Sequence, residues 1–378
     1  MSLRIERRLR VPGWLPVAVP VGSVIAAFIF SGLILVLTGH DPVATDRRLL
    51  ERGFFASGAI SGTLVTATPL LLTALAAAAA FRMQVWNIGA EGQLYLGAVG
   101  ASGAGIALHA LPGPLIIAAM VVAGILAGAA WGAIPGILRA AFRTNEIITS
   151  LMLNYVAGLF ITYLIYDSHS YWRDLSTFTA RVFPQGKYLT DAASWPRFDL
   201  LGMMIPFGFL LGILAAALVW LTATATRFGF EMRVIGDSPN AARYAGMRVR
   251  RRIVTVMAMA GGLAGLGGAS EVGDFRHVLD PRGIQQAGFG YAGIVVAALA
   301  RLNPFAVIVV AVLLGGLANA GYSLQGPDFP AGLVGTLQGL ILFFALGGEM
   351  LVRYRIRWRG PQTAAPAPAP VAVAEAGS

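Results

Sequence analysis

The sequence has 378 residues, of which 57% are hydrophobic and only 12% are charged. A water-soluble globular domain carries charge on about a quarter of its residues, so this composition excludes that class. The chain has no cysteine, which excludes disulfides, thiol nucleophiles and iron–sulfur ligation. The sequence therefore predicts a protein whose main solvent is the lipid bilayer.

Ten charge-poor stretches approach the length of about 20 apolar residues that a helix needs to cross a bilayer. They comprise residues 11–40, 53–81, 92–108, 110–138, 147–166, 201–224, 253–270, 283–300, 302–327 and 329–348. We therefore expect an all-α membrane protein of about ten transmembrane helices. Its expected parts are a cytoplasmic N-terminus at 1–13, a transmembrane domain at 14–352, and a basic, then Ala/Pro-rich disordered cytoplasmic tail at 353–378.

The basic residues mark the topology of the chain rather than a nucleic-acid partner, despite the net charge of +10. With both termini in the cytoplasm, most of the 28 arginines and lysines fall in inside segments, as the positive-inside rule expects. This orientation makes 167–200 an external loop and 225–252 a cytoplasmic loop. Aromatic residues in the external loop suggest an element at the level of the lipid headgroups: Tyr171, Trp172, Phe178, Phe183, Tyr188, Trp195 and Phe198.

Segments 60–166 and 253–347 resemble each other weakly. Asn87-Ile-Gly-Ala-Glu-Gly-Gln opens a Gly-punctuated crossing in the first, and Gln286-Ala-Gly-Phe-Gly-Tyr-Ala-Gly opens one in the second. Since the first block enters from outside and the second from inside, the two would be inverted repeats of helices 2–5 and 7–10, a design that transporters use. Gly-rich sequences also produce such similarity by chance, so both explanations stay open at this point.

Gly124, Gly128, Gly132 and Gly136 recur every four residues and so lie on one stripe of a helix. Such a stripe lets a neighbouring helix approach closely, and we interpret it as a packing surface rather than a binding site. It predicts a compact bundle of helices.

Polar residues at membrane depth are costly unless they line water or pair with protein groups, so each is a candidate for a translocation pathway. Glu91 lies in a Gly-broken stretch, where the end of a half-helix would present backbone dipoles to a solute. A local cap, or a pair with Arg82, explains Glu91 as well, and hydrogen bonds between helices explain the amides. Asn145 and Glu146 open the fifth helix, where capping is the better explanation. The candidate pathway residues are Asn87, Glu91, Gln93, Asn154, Tyr155, Phe289, Tyr291, Asn319 and Gln338.

The cytoplasmic loop carries the signals of a short helix. Asp237 or Ser238 is a suitable N-cap, Pro239 fits the first helical position, and Gly246 can supply a left-handed stop. The resulting helix of about two turns, with small residues around Tyr244, is shaped to fit a groove in another protein. An amphipathic connector between membrane helices is the alternative.

The sequence lacks the motifs of an ATPase and of a metal site. A phosphate-binding loop needs a lysine followed by serine or threonine, and the single lysine, Lys187, is followed by Tyr188. The four histidines show no ligand spacing, so we expect no metal and no cofactor.

Three strings resemble permeases of nucleoside and simple-sugar ABC importers, which are relatives of the ribose and branched-chain amino acid permeases. They are Phe81-Arg-Met-Gln-Val-Trp-Asn-Ile-Gly-Ala-Glu-Gly-Gln93, Thr144-Asn-Glu-Ile-Ile-Thr-Ser-Leu-Met-Leu-Asn-Tyr-Val156 and the loop segment from Gly236 to Gly246. The resemblance extends from about residue 15 to 352. It implies a fold of ten helices with an inverted repeat.

The resemblance also implies that the loop segment contacts an ATPase. On that basis the expected coupling residues are Gly236, Asp237, Asn240, Ala241, Ala242, Tyr244 and Gly246. The implied partners are an ABC ATPase subunit, a second permease of the same or a different kind, an external substrate-binding lipoprotein and the lipid bilayer. The implied location is the inner membrane of a bacterial cell.

We therefore expect a permease subunit, itself not an enzyme, that forms the pathway for nucleosides or related small polar solutes such as simple sugars. The alternative is an ion-coupled secondary transporter. That class usually needs an acid buried at mid-membrane, whereas Glu91, Glu146, Glu271 and Glu349 all lie near the ends of predicted helices. A membrane-embedded enzyme would need clustered acid, base, nucleophile or metal ligands, which the sequence lacks.

Overall fold

The computed structural model describes residues 2–7, 12, 14–200, 202–324 and 332–359, and helices dominate this part of the chain. The helices are α1 (Leu15–Leu37), α2 (Pro42–Leu50), α3 (Ala59–Phe81), α4 (Ala90–Ala107), α5 (Gly113–Phe142), α6 (Glu146–Thr162), α7 (Phe178–Val182), α8 (Phe207–Ala225), α9 (Arg227–Asp237), α10 (Pro239–Tyr244), α11 (Val249–Ser270), α12 (Pro281–Ala287), α13 (Phe289–Leu299), α14 (Pro304–Ser323) and α15 (Leu333–Arg353). Short π-helical turns follow α2, α6 and α11, at Glu51–Phe55, Tyr163–Asp167 and Glu271–Arg276. The strands are β1 (Ser2–Arg7), β2 (Arg197–Leu200), β3 (Met203–Pro206) and β4 (Tyr354–Arg359).

Six helical segments in the described residues are long and apolar enough to cross a membrane. They are Ala59–Phe81, Gly113–Phe142, Glu146–Asp167, Phe207–Ala225, Val249–Arg276 and Pro304–Ser323. Each of the ten predicted apolar stretches contains a helix, although α13 has only 11 residues. A mostly helical, multi-pass membrane protein is therefore confirmed, while the number of ten crossings stays a prediction.

Helix α3 lies at the centre of the bundle, and its most apolar window is buried throughout. Its neighbours include α8, α11, α13 and α14. A helix that is apolar on all sides fits this position, because it has no polar stripe that needs water or headgroups. Peripheral helices instead expose large apolar side chains such as Leu126 and Leu214, which form the surface expected to face lipid.

The glycine stripe of α5 packs against α11, as the sequence predicts. A methyl group placed on Gly128 would lie 2.6 Å from the Cα atom of Gly265. One placed on Gly132 would lie 2.6 Å from the carbonyl oxygen of Met257. The backbones of α5 and α11 are thus too close for any side chain at these positions, and the packing interpretation is confirmed.

Each half of the chain packs its first long helix against helices of the other half. Helix α3 of the first half packs against α13 and α14, and α11 of the second half packs against α4 and α5. The first helices of the two halves, α3 and α11, also contact each other. This reciprocal pattern is the one that two inverted repeats would produce.

Some aromatic residues of the segment between α6 and α8 pack onto the helices. The indole nitrogen of Trp172 donates to the carbonyl oxygen of Val99 at 3.1 Å, and Trp195 is buried edge-on against Phe207. Phe178 and Phe183 stay exposed. Trp195 thus packs inside the protein, and the prediction that this segment lies at the headgroup level stays a prediction.

The two ends of the described chain meet in a small antiparallel sheet. Strand β1 pairs with β4 so that Ser2 lies opposite Arg359 and Arg7 lies opposite Tyr354. Neither region was predicted to form a strand. The Ala/Pro-rich part of the predicted tail lies outside the described residues.

Candidate functional site

The turn that leads into α4 is held by two amide side chains. Asn87 and Gln93 pair head to head, with Nδ2 of Asn87 donating to Oε1 of Gln93 at 2.9 Å and Nε2 of Gln93 donating to Oδ1 of Asn87 at 3.0 Å. The same oxygen of Asn87 accepts from the backbone nitrogen of Gly89 at 3.0 Å. Both amides are buried, so the pair satisfies polar groups that would otherwise lie without partners inside the protein.

Asn154 reaches from α6 to the start of α4. Its Oδ1 accepts from the backbone nitrogen of Gly92 at 2.9 Å, and its Nδ2 donates to the carbonyl oxygen of Ile88 at 2.9 Å. The first turn of a helix has backbone N–H groups without partners inside the helix, and Asn154 satisfies one of them from a neighbouring element. Its Nδ2 also lies 3.3 Å from the hydroxyl of Tyr291 on α13.

Glu91 of α4 caps the start of α13. Its Oε2 accepts from the backbone nitrogens of Gly290 at 2.5 Å and Tyr291 at 3.2 Å. Its Oε1 accepts from the hydroxyl of Tyr95, one turn further along α4, at 2.8 Å. An acidic group at a helix N-terminus satisfies N–H groups and matches the positive end of the helix dipole. Glu91 is 1% exposed, so this cap is sealed inside the protein.

The predicted alternative in which Glu91 pairs with Arg82 is wrong. Nη2 of Arg82 donates to the carbonyl oxygen of Leu302 at 2.8 Å, and the acceptor role of Glu91 is taken by α13. The cap is formed between the two halves of the chain rather than locally, because the turn at Gly288 aims the start of α13 at α4. Gly288 has φ of 59°, a left-handed conformation that favours glycine.

The remaining pathway candidates divide into exposed and buried residues. Tyr155 and Tyr291 are 63% and 41% exposed on the surface of this chain, whereas Phe289 is buried. Asn319 lies apart from the others, with its Nδ2 3.4 Å from the carbonyl oxygen of Ala59. Gln338 belongs to α15, but its side chain lies outside the described residues.

Two residues of the cluster around Glu91 escaped the sequence analysis. Tyr95 lies four residues after Glu91, a spacing that places both on one face of a helix and was an available signal. Oγ1 of Thr73 lies 2.9 Å from the carbonyl oxygen of Phe289. Thr73 is one of several hydroxyl residues in α3, and nothing in the sequence marks it out from the others. We call Asn87, Glu91, Gln93, Tyr95, Asn154 and Tyr291 the junction cluster.

The short helix predicted in the loop between α8 and α11 is confirmed as α10. Oγ of Ser238 accepts from the backbone nitrogen of Ala241 at 3.3 Å, Pro239 occupies the first turn, and Gly246 has φ of 77°. Tyr244 is 93% exposed at the end of this helix, whereas Ala242 is buried against its own chain.

A cavity of about 550 Å³ lies beside α10, and the three strings that carry the family resemblance meet in it. It is lined by Met83, Gln84, Val85, Arg139, Arg143, Thr144, Asn145, Glu146, Ile147, Ile235, Gly236, Pro239, Arg243, Val249 and Ile253. Motifs that are far apart in the chain thus form one wall next to the loop helix.

Glu146 connects the elements that form this wall. It forms an ion pair with Arg139, and its Oε1 lies 3.3 Å from the backbone nitrogen of Trp86, in the first string. Asn145 is the N-cap of α6, with Oδ1 accepting from the backbone nitrogen of Ile147 at 2.9 Å. The predicted cap is therefore confirmed for Asn145, while Glu146 also joins α5, α6 and the turn after α3. Sequence reasoning missed Arg139 and the cavity arginines Arg143 and Arg243, because arginine near a helix end has many ordinary explanations.

Comparisons with known proteins agree with this architecture. Residues 59–346 match the family described as branched-chain amino acid transport system / permease component. The glucose ABC transporter permease protein TsgB13 of Haloferax volcanii is 33% identical over 371 residues, which cover 94% of this chain and 94% of that protein. The guanosine ABC transporter permease protein NupP of Bacillus subtilis is 32% identical and covers 86% of this chain and 92% of its own. The nucleoside ABC transporter permease protein NupB of Lactococcus lactis is 30% identical, with 87% and 90% covered.

The family match covers most of the chain, and it includes the junction cluster and the cavity beside α10. The chain therefore belongs to the family of branched-chain amino acid transport system permease components and is a permease subunit of the ABC importer type.

Proposed function

We propose that this permease forms the translocation pathway for nucleosides or related small polar solutes, simple sugars included, and that a separate ATPase subunit powers it. The observation that carries the proposal is the meeting of three family-like strings at the cavity beside α10. Relatives whose names give glucose, guanosine and nucleosides as solutes support this substrate class.

The exposed face of α10 is the proposed contact with the ATPase. Asp237, Asn240, Ala241, Tyr244 and Gly246 are exposed, and Gly236 is half-buried at the cavity wall. A large aromatic side chain that is 93% exposed, as Tyr244 is, suits insertion into a partner groove. Ala242 has the other role of anchoring the helix, because its side chain is buried within this chain.

The proposed solute pathway passes the exposed side of the junction cluster. Tyr155 and Tyr291 present aromatic rings and hydroxyl groups there, next to the amide of Asn154. Such groups stack on bases or sugars and hydrogen-bond to hydroxyls, yet they carry no charge. A neutral lining of this kind favours nucleosides and sugars over ions.

The proposed membrane topology has ten crossings, both termini in the cytoplasm and inverted repeats of helices 2–5 and 7–10. The pairing of β1 with β4 supports termini on one side, because it requires an even number of crossings between the strands. The reciprocal packing of α3 and α11 supports the repeat. We place the protein in the bacterial inner membrane, with the segment before α8 outside.

A second permease and an external binding lipoprotein complete the proposed importer. Two organisms each have a second permease protein that is also similar to this chain, TsgC13 in Haloferax volcanii and NupC in Lactococcus lactis. Paired permeases in relatives support a heterodimer here. The lipoprotein would supply most of the solute selectivity.

The decisive experiment replaces Tyr244 with Asp and measures how much ATPase subunit copurifies with the permease in detergent. We expect a loss of about tenfold or more in affinity, since an exposed aromatic anchor is replaced by a charge. Tyr188→Asp, on an exposed tyrosine of the proposed external segment, is the matched control. Equal copurification of both variants with wild-type levels would reject α10 as the contact.

An ion-coupled secondary transporter is the competing hypothesis, and Glu91 is the buried acid of the junction cluster that it could use. The contacts of Glu91 speak against this role, because Gly290, Tyr291 and Tyr95 occupy its two oxygens. Proteoliposomes that contain this chain alone and take up solute in response to an ion gradient would favour the competing hypothesis.

A further inference from the structure

A pocket of about 480 Å³ lies between the start of α9, the turn after α10 and the start of α11. It is lined by Arg227, Phe230, Glu231, Ala245, Gly246, Met247, Arg248, Arg251 and Arg252. Four guanidinium groups and one carboxyl group therefore surround a single space. Neither the proposed transport pathway nor the proposed ATPase contact explains this concentration of charge.

The charge in the pocket is mostly uncompensated. Oε2 of Glu231 accepts from Nε of Arg252 at 2.5 Å, and its Oε1 lies 3.5 Å from Nε of Arg227. The hydrogen bond from Arg252 lowers the pKa of Glu231, so the carboxyl group is ionised at neutral pH. Arg248 and Arg251 are exposed, and within the described residues neither forms an ion pair.

The pocket lies beside the ends of two segments that are long and apolar enough to cross a membrane. Phe207–Ala225 ends just before it, and Val249–Arg276 begins at its edge. Phe230 lines the pocket and is 53% exposed, and the last turns of α8 expose Trp220 and Leu221. A cationic space next to exposed apolar and aromatic side chains suits a ligand with an anionic head and an apolar tail.

The pocket adjoins the end of the coupling helix α10, because Ala245 and Gly246 line it. Tyr244 and Ala241 do not line it, and its arginines belong to α9 and α11 and to the residue before α11 rather than to α10. A protein partner that contacts the exposed tip of α10 need not cover these arginines. Their position beside the ends of two apolar spans favours a lipid over an acidic segment of the ATPase.

We propose that this pocket binds the phosphate headgroup of an anionic phospholipid. Arg248 and Arg251 hold the phosphate, since guanidinium groups bind phosphate oxygens in a bidentate way. An acyl chain runs along Phe230 and the exposed side of α8. This proposal rests on the proposed function only for the orientation of the chain in the membrane, which puts the pocket at the cytoplasmic leaflet.

The test measures lipid retention by the purified full-length chain in detergent, without the ATPase. The chain is mixed with equal amounts of phosphatidylglycerol and phosphatidylcholine, and bound lipid is counted by native mass spectrometry. We expect the wild type to retain phosphatidylglycerol in preference by about tenfold, and Arg248→Gln/Arg251→Gln to lose most of that preference. Arg243→Gln/Arg250→Gln, which removes the same charge from residues outside this pocket, is expected to stay within about twofold of wild type.

Three results would overturn the proposal. The first is equal retention of the two lipids by the wild type, and the second is unchanged retention by the pocket variant. The third is displacement of the lipid by millimolar inorganic phosphate, which would identify a site for a free anion.

If the double glutamine variant does not elute as a folded species, Arg251→Gln alone and Arg248→Lys/Arg251→Lys replace it, and only the lysine variant should keep the preference. Because no ATPase is present, failure here is distinct from failure of the Tyr244 experiment.

Discussion

The starts of α4 and α13 are similar in sequence and meet in the structure, but they are stabilised by different groups. Both helices have a glycine as N-cap, and both have backbone N–H groups that need partners. At α4 the partner is the neutral amide of Asn154 from α6. At α13 it is the carboxyl group of Glu91, which α4 itself supplies. One half of the protein therefore caps the other.

The buried caps hold the two halves of the protein together, whereas the exposed side chains of the same region are the ones that the proposed pathway would present to a solute. Irregular backbone at membrane depth is tolerated only where protein or water satisfies its polar groups. Here protein satisfies it at both helix starts, so the helix ends are closed to a passing solute in this conformation. Tyr155 and Tyr291 are exposed in this region, and in the proposed pathway they are the side chains that a solute would meet.

Replacing Glu91 with Ala should have the largest effect on this region. The change removes three hydrogen bonds and leaves the N–H groups of Gly290 and Tyr291 buried without a partner. We expect the free energy of unfolding to fall by about 2–3 kcal/mol, as measured for the purified chain in mixed micelles. Glu91→Gln keeps an acceptor for the N–H groups and should recover about half of the loss. Equal losses in both variants would show that the cap depends on the acid itself.

Replacing Asn154 with Ala should cost less, about 1 kcal/mol, because the backbone nitrogen of Gly92 and the carbonyl oxygen of Ile88 lose a neutral partner. The same unfolding measurement checks this value. Asn319→Ala is the control, since its amide makes only one long contact at 3.4 Å, and we expect a loss of less than about 0.5 kcal/mol there. A larger effect at Asn319 than at Asn154 would contradict the ranking of the two amides.

The pair of Asn87 and Gln93 stabilises the turn that leads into α4. A double-mutant cycle measures the contribution of this pair to the unfolding free energy. We expect Asn87→Ala and Gln93→Ala to show a coupling energy of about 0.6 kcal/mol, the usual size of a hydrogen bond between polar groups in a membrane protein. The cycle uses unfolding free energies of the two single variants and the double variant. Additive effects would mean that each amide acts on the backbone alone.

Local signals explain which parts of this molecule the sequence could predict. Helix α10 was predictable because a serine cap, a proline in the first turn and a glycine stop act within a few residues. The glycine stripe of α5 was predictable because one spacing determines one face of a helix. The partner of Glu91 was not predictable, since Gly290 lies 199 positions away in the chain. Only the packing of the two halves brings them together.

The sheet of β1 and β4 shows a signal that was present but not used. Leu3 and Ile5 alternate with charged residues, as do Ile356 and Trp358, and alternation with a period of two is typical of a strand. The two stretches flank the apolar helices, where basic residues also have a topological explanation. Neither stretch reveals its partner alone, because the pairing depends on bringing both ends of the chain to one side.

Replacing Thr73 with Val tests the smallest contribution to the junction. Its hydroxyl lies 2.9 Å from the carbonyl oxygen of Phe289, but it also lies 2.8 Å from the carbonyl oxygen of Pro69 in its own helix. A helix-internal acceptor already satisfies the hydroxyl, so we expect a loss of only about 0.5 kcal/mol in unfolding free energy. Thr66→Val is the matched control, because Oγ1 of Thr66 contacts only Gly62 in the same helix. A loss of unfolding free energy for Thr73→Val as large as that for Glu91→Ala would mean that α3 stabilises the start of α13 as strongly as α4 does. The comparison of the two caps would then have to include α3.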